Sequence, residues 1–143
     1  MQQRIRRLSL QICIQERGNI GDILRDEKQF PAALPYNLRE LAIRAAQAAA
    51  NPANAGDQVN LAEVWWDLGN DYRGTVAKAK STAEKLRLLH LAQNYLKEAL
   101  PVYRDAQTRG LLFGSEVGVP QEISEDLAKC TQALKAAESV SQR

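Results

Sequence analysis

The side chains able to do chemistry are few: one histidine, His90, and two cysteines, Cys13 and Cys130. His90 stands between Leu89 and Leu91 in a helical pattern, and the sequence places no serine or cysteine beside it. A nucleophilic triad therefore has no partners to draw on. The cysteines lie at opposite ends of the chain, each in an apolar helical register where cysteine behaves as a small hydrophobe. No Cys-x-x-Cys or Cys/His spacing suggests zinc, and no Gly-rich phosphate-binding or dinucleotide-binding motif is present. Asp22 and Asp26, four apart on exposed helix turns, read as solvated charges, and Asp105 with Arg109 as a helix ion pair worth a few tenths of a kcal/mol. These residues point away from enzymatic activity, and no metal or cofactor is expected.

With catalysis set aside, the totals describe an ordinary globular chain. It has 143 residues, the length of one domain of roughly 100–200 residues. Hydrophobic residues make up 45% and charged residues 25%, too apolar for a disordered chain. Nineteen Lys and Arg against 17 Asp and Glu leave a net charge of +2. That balance, with Arg4, Arg6 and Arg7 as its one basic cluster, gives little footing for a nucleic-acid interface. No stretch is apolar enough to insert in a membrane; Arg44 and Gln47 interrupt even the segment 41–50. The basic-then-apolar start imitates a signal peptide, but Gln11, Gln15, Glu16 and Arg17 break it. A reducing, cytoplasmic setting is expected.

Helical periodicity repeats along the chain, and no segment alternates long enough for a strand. Ile5, Leu8, Ile12, Ile20, Ile23 and Leu24 predict a first helix ending near Lys28. Phe30-Pro31 predicts the start of a second, with Leu34, Leu38, Leu41, Ala45 and Ala48 as its stripe and Asn51-Pro52 as its stop. Pro35 should kink its first turn or delay its start. Asp57 is the expected N-cap of a third helix bearing Leu61, Val64, Trp65, Leu68, Tyr72, Val76 and Ala79. Ser81 and Glu84 have the spacing of a capping box, opening a fourth helix with Leu86, Leu89, Ala92, Leu96, Ala99, Leu100 and Tyr103 inward. Pro101 should bend that helix and Gly110 end it. After a glycine-punctuated loop, Pro120 opens a final helix whose stripe is Ile123, Leu127, Cys130, Leu134 and Ala137. Short turns predict antiparallel neighbours.

Two glycines give the most specific pattern. Gly21 follows Ile20 and Gly69 follows Leu68, at an offset of 48 (69 − 21). Each sits inside a helical pattern, at a cost of about 1 kcal/mol relative to alanine. That cost makes sense if a neighbouring helix must approach the backbone closely. Around the second glycine, Trp65, Leu68, Gly69 and Tyr72, followed by Ala92, Tyr95, Leu96 and Ala99, resemble the signature of the tetratricopeptide repeat family in its bacterial long-repeat type. Around the first, Ile20, Gly21, Leu24 and Ala33 match, while Arg17 and Asn37 replace the two aromatics. The stretch 51–56 and the closing segment from Tyr103 are also similar to that family. One spacing departs: the small residue of the second unit falls at Ala92 where the family has it at position 81, an excess of 11 (92 − 81). Lengthening both helices of that hairpin is expected to absorb it.

The resemblance implies an all-α fold of antiparallel hairpins stacked as a short right-handed superhelix, with pairs at about 5–50 and 57–109 and a capping helix at about 120–139. It further implies a concave groove lined by the second, fifth, ninth and twelfth positions of each first helix. Those are Glu63, Trp66, Asn70 and Arg73 in one unit, and Gln15, Gly18, Asp22 and Arg25 in the other. Trp65 and Trp66, about 100° apart on a helix, cannot share a direction; Trp65 takes the core, and Trp66 is left for the groove or for packing on a neighbouring hairpin or the final helix. The expected function is a protein–protein interaction module, an adaptor or scaffold in a bacterial signalling context, holding a peptide or protein partner in that groove. Homodimerisation or docking on a larger protein is the alternative, because two units and a cap fall short of the three repeats such folds usually need. A nucleic-acid binder ranks third.

Overall fold

Asn54, not Asp57, caps the third helix: its Oδ1 accepts from Asp57 N at 3.0 Å, which puts Asp57 in the first turn. Asparagine there satisfies a backbone donor that the helix itself leaves free. The computed structural model describes residues 20–143, all helices and connections, with no strand among them. Residues 20–26 are helical (α1), followed by α2 (Phe30–Ala50), α3 (Ala55–Thr75), a 3-10 turn (Val76–Lys78), α4 (Thr82–Thr108), a second 3-10 turn (Gly114–Gly118) and α5 (Val119–Ser141). Cys13, Arg4, Arg6, Arg7 and the beginning of the predicted first helix lie outside the described residues.

The local signals account for most helix ends. Lys28, at φ 58°, and Gly110, at φ 68°, close α1 and α4 with the same pair of bonds. Gln29 N donates to Leu24 O and Lys28 N to Arg25 O; Leu111 N donates to Ala106 O and Gly110 N to Gln107 O. This is the left-handed helix stop that glycine adopts without strain. Ser81 Oγ accepts from Glu84 N, as expected, but Glu84 reaches back to Lys80 N, one residue beyond the capping-box partner. Pro35 does not delay α2, which begins at Phe30 and runs through it. The stripe expected on α2 is displaced: Ala33, Asn37 and Ala48 are buried, while Leu38 and Ala45 are exposed.

Each helix packs chiefly on its neighbours in the chain. Gly74, near the end of α3, lies against the Phe30 ring at the start of α2, and Gln58, near the start of α3, donates to Ala48 O near the end of α2. That pairing makes the two helices antiparallel. The main core gathers Leu89, Leu96, Leu100 and Tyr103 of α4 with Ile123, Cys130 and Leu134 of α5.

Both repeat glycines serve close helix approach. A Cβ built on Gly21 would lie 2.7 Å from Asn37 Oδ1, and one on Gly69 would lie 2.7 Å from Leu96 Cγ and 3.3 Å from Ala92 O. The two contact spacings are 16 (37 − 21) and 27 (96 − 69), so the excess of 11 (27 − 16) sits inside the second hairpin. Its location corrects the expectation that both helices lengthen. Past its glycine, α3 runs on by six (75 − 69) and α1 by five (26 − 21). Most of the excess is in α4. Leu96 comes 14 after the first residue of that helix (96 − 82), whereas Asn37 comes seven after the first of α2 (37 − 30), a difference of about two helical turns. Gly69→Ala is expected to lose roughly 1–2 kcal/mol, overpacking outweighing the gain in helix propensity. A chemical-denaturation midpoint at or above wild type would refute the close approach.

Candidate functional site

The groove positions named from the sequence meet two fates. Some tie helices together and some keep contact with solvent. Arg25 of α1 is the hub of the first junction: Nε donates to Asp71 Oδ1 at 3.0 Å, and Nη1 reaches Asp67 Oδ1 at 3.1 Å and Asp22 Oδ1 at 3.0 Å. Asp71 is fully buried and also accepts from Asn37 Nδ2. Asn37, at the position where the repeat pattern has an aromatic, thus supports a buried polar cluster. Arg25 Nη2 and Asn37 Oδ1 complete no hydrogen bond among the described residues.

The second junction is built alike. Arg73 Nη1 reaches Asp126 Oδ1 of α5 at 2.8 Å and its backbone O at 3.1 Å. Trp66 Nε1 donates to Asp126 Oδ2 at 2.9 Å, and the Trp66 ring meets Tyr103 edge-on at 6.5 Å. Asp126 is the one carboxylate shared by both side chains. The spacing from Arg25 to Asp67 is 42 (67 − 25) and from Arg73 to Asp126 it is 53 (126 − 73), again a difference of 11. Hence α5 repeats α3 at a spacing of 59 (126 − 67). Leu61, Val64 and Asp71 map on Pro120, Ile123 and Cys130, and all six are buried. The opposite side of α5 exposes Gln121, Glu125, Ala128 and Gln132.

Around the repeat signature, Leu68, Gly69, Ala33, Ala92 and Ala99 are buried, as is Gly21, and Trp65 is half-buried. Tyr72 stacks on Tyr95 with centroids 5.9 Å apart and planes 5° from parallel. His90 is exposed. Burial raises the Cys130 thiol above its usual range despite Arg73 and Lys97 nearby, and its Sγ lies 3.3 Å from Leu89 O. Among the described residues, no group of three or more His, Cys, Asp or Glu could hold a metal ion, and no helix is long and apolar enough to cross a membrane.

Of the groove positions, Asp22 and Glu63 stay exposed and Asn70 half-buried, while Gln15 and Gly18 lie outside the described residues. The surface they share is acidic. Desolvation, then the charges of Glu40 and Asp22, push the Glu63 carboxyl up, with Glu116 adding to the effect. Asp67 is raised well above its ordinary value by burial, against the pull of Arg25, and Asp71 and Glu40 are raised by burial too. Asp67, Asp71, Asn37 and Asp126 were not legible as partners, because their pairing depends on which helices become neighbours. The only signal was Asn37 in place of an aromatic.

These shifts set a pH dependence. A carboxyl whose folded pKa is raised binds protons more readily in the folded state, so its contribution is complete below the ordinary carboxylate range and is lost as pH rises through the raised value. Stability should therefore increase as pH falls from neutral towards that range, and Glu63→Gln should flatten part of the slope. Urea midpoints across pH check this; a midpoint that falls steadily over the same interval contradicts it.

The chain matches no known protein family, no curated protein and no solved structure.

Proposed function

We propose that the chain is a protein-interaction module, a short stack of tetratricopeptide-type hairpins closed by α5, holding a peptide or protein partner on the face shared by α1 and α3. The observation that carries this reading is the repeated junction: Arg25 on Asp67 and Arg73 on Asp126, related by the same insertion that separates the two glycine contacts. Architecture built by repetition presents a continuous surface, and such surfaces bind extended partners. Arg25, Trp66 and Arg73 shape that surface by fastening neighbouring helices. Asp22, Glu63 and Asn70 are the side chains left to meet a ligand. An adaptor or scaffold role in bacterial signalling belongs to the same reading.

The test is titration of a partner, recovered with the whole chain, against Glu63→Ala and Asn70→Ala. Lost affinity with unchanged helicity supports the site; unchanged affinity in both variants removes it. A second reading, self-association or docking on a larger protein, draws on Ile23 and Leu38, apolar side chains 56% and 40% exposed on α1 and α2. A strict monomer in sedimentation at high micromolar concentration removes the homodimer.

A further inference from the structure

The connection between α4 and α5 carries an apolar feature that the fold leaves uncovered. Phe113 is 73% exposed and Val117 52%, with Leu111 beside them. Next to them, a cavity of about 270 Å³ opens against the first turns of α3, lined by Ala55, Gly56, Val59, Asn60, Leu111 and Glu116. Exposed aromatic side chains beside a concave surface are common anchors of protein interfaces.

Charge identifies the occupant. Glu116 lines the cavity and lies close enough to Glu63 to act on its carboxyl, as do Glu40 and Asp22. Among the described residues, the basic groups on this side are already engaged: Arg25 with Asp22, Asp67 and Asp71, Arg44 with Glu40, and Arg109 with Asp105. Among the described residues, the uncompensated charge beside the cavity is therefore negative. A polyanion is repelled, and a second copy meeting this face with its own would oppose Glu63 and Glu116 to themselves. A cationic segment gains from both features, its charges on the carboxylates and one apolar side chain in the cavity.

We infer that this face docks a basic peptide segment with an apolar anchor, the anchor seated against Val59 and Leu111 beside the exposed Phe113, and the basic side chains on Glu116 and Glu63. The inference rests on the interaction-module reading and gives it a partner class. The test is fluorescence anisotropy of the whole chain with a library of labelled peptides in which several lysines or arginines flank one leucine or phenylalanine, beside acidic counterparts and basic peptides lacking the apolar residue. Basic, anchored peptides should bind, and binding should weaken about tenfold or more in Glu116→Lys and in Phe113→Ser. Phe113 and Glu116 are both exposed, at the start of and within the second 3-10 turn, and unchanged circular dichroism excludes unfolding as the cause. The inference falls if the acidic peptides bind equally, if removal of the anchor makes no difference, or if no basic peptide binds. It also falls if Phe113→Ser abolishes a dimer seen by light scattering, which would make the loop a self-association surface. A recovered partner insensitive to Glu116→Lys and Phe113→Ser but sensitive to Asn70→Ala would sink this inference and leave the module reading standing; no partner and no peptide at all would sink both.

Discussion

Replacing Asp71 with alanine should lower the unfolding free energy by roughly 2–3 kcal/mol, because it leaves the buried Asn37 amide without its acceptor and takes one of three carboxylates from Arg25. The Asp71 carboxylate is fully buried and accepts from Arg25 Nε at 3.0 Å and from Asn37 Nδ2. Its removal strands the Asn37 amide, whose Oδ1 has no partner among the described residues. A loss of that size is a large part of the roughly 5–15 kcal/mol that holds a typical domain folded. The second junction shows how the same place can be built without these polar groups. At the spacing of 59, Asn37 corresponds to Leu96 (96 − 37) and Asp71 to Cys130 (130 − 71), both fully buried. The double variant Asn37→Leu with Asp71→Cys should therefore recover to within about 1 kcal/mol of wild type, since replacing a buried polar set by packed apolar groups is often neutral or better. Arg25 keeps Asp67 and Asp22 in that variant, as Arg73 keeps Asp126. Denaturant midpoints read both outcomes, and a double variant no more stable than Asp71→Ala would show that the two junctions are not equivalent.

Trp66→Ala is expected to cost about 3 kcal/mol, the low end for truncating a large aromatic, because the ring is half-buried. It removes the edge contact with Tyr103 and the donor at 2.9 Å from Asp126. Trp66→Phe keeps much of the packing and loses the hydrogen bond, so its cost should be nearer to about 1 kcal/mol. Thermal or denaturant unfolding separates the two, and equal losses would assign the effect to the hydrogen bond alone. The consequence for function is direct. Lost partner binding in Trp66→Ala would reflect a loosened α5, whereas Glu63 and Asn70 can be changed without touching that contact.

The local elements could be read from the order of residues alone. Helix ends at Lys28, Asn51 and Gly110, and starts at Phe30, Ser81 and Pro120, were legible to within a residue or two, because caps and proline act through the few backbone groups beside them. The glycine spacing was legible for a similar reason: only a close neighbour justifies glycine at Gly21 and Gly69, and the structure supplies Asn37 and Leu96. Which side chains meet across helices follows instead from the packing of the whole chain. Trp66 was the expected groove contact or packing residue, and its direction is settled by Asp126, 60 residues away. Arg25 was expected to face a ligand and instead binds Asp67 and Asp71. Periodicity fixes which face of a helix a residue occupies, but the partner of that face depends on the stacking of helices far apart in sequence. The apolar loop at Phe113 was legible only as a turn, because its exposure follows from how α4 and α5 pack behind it.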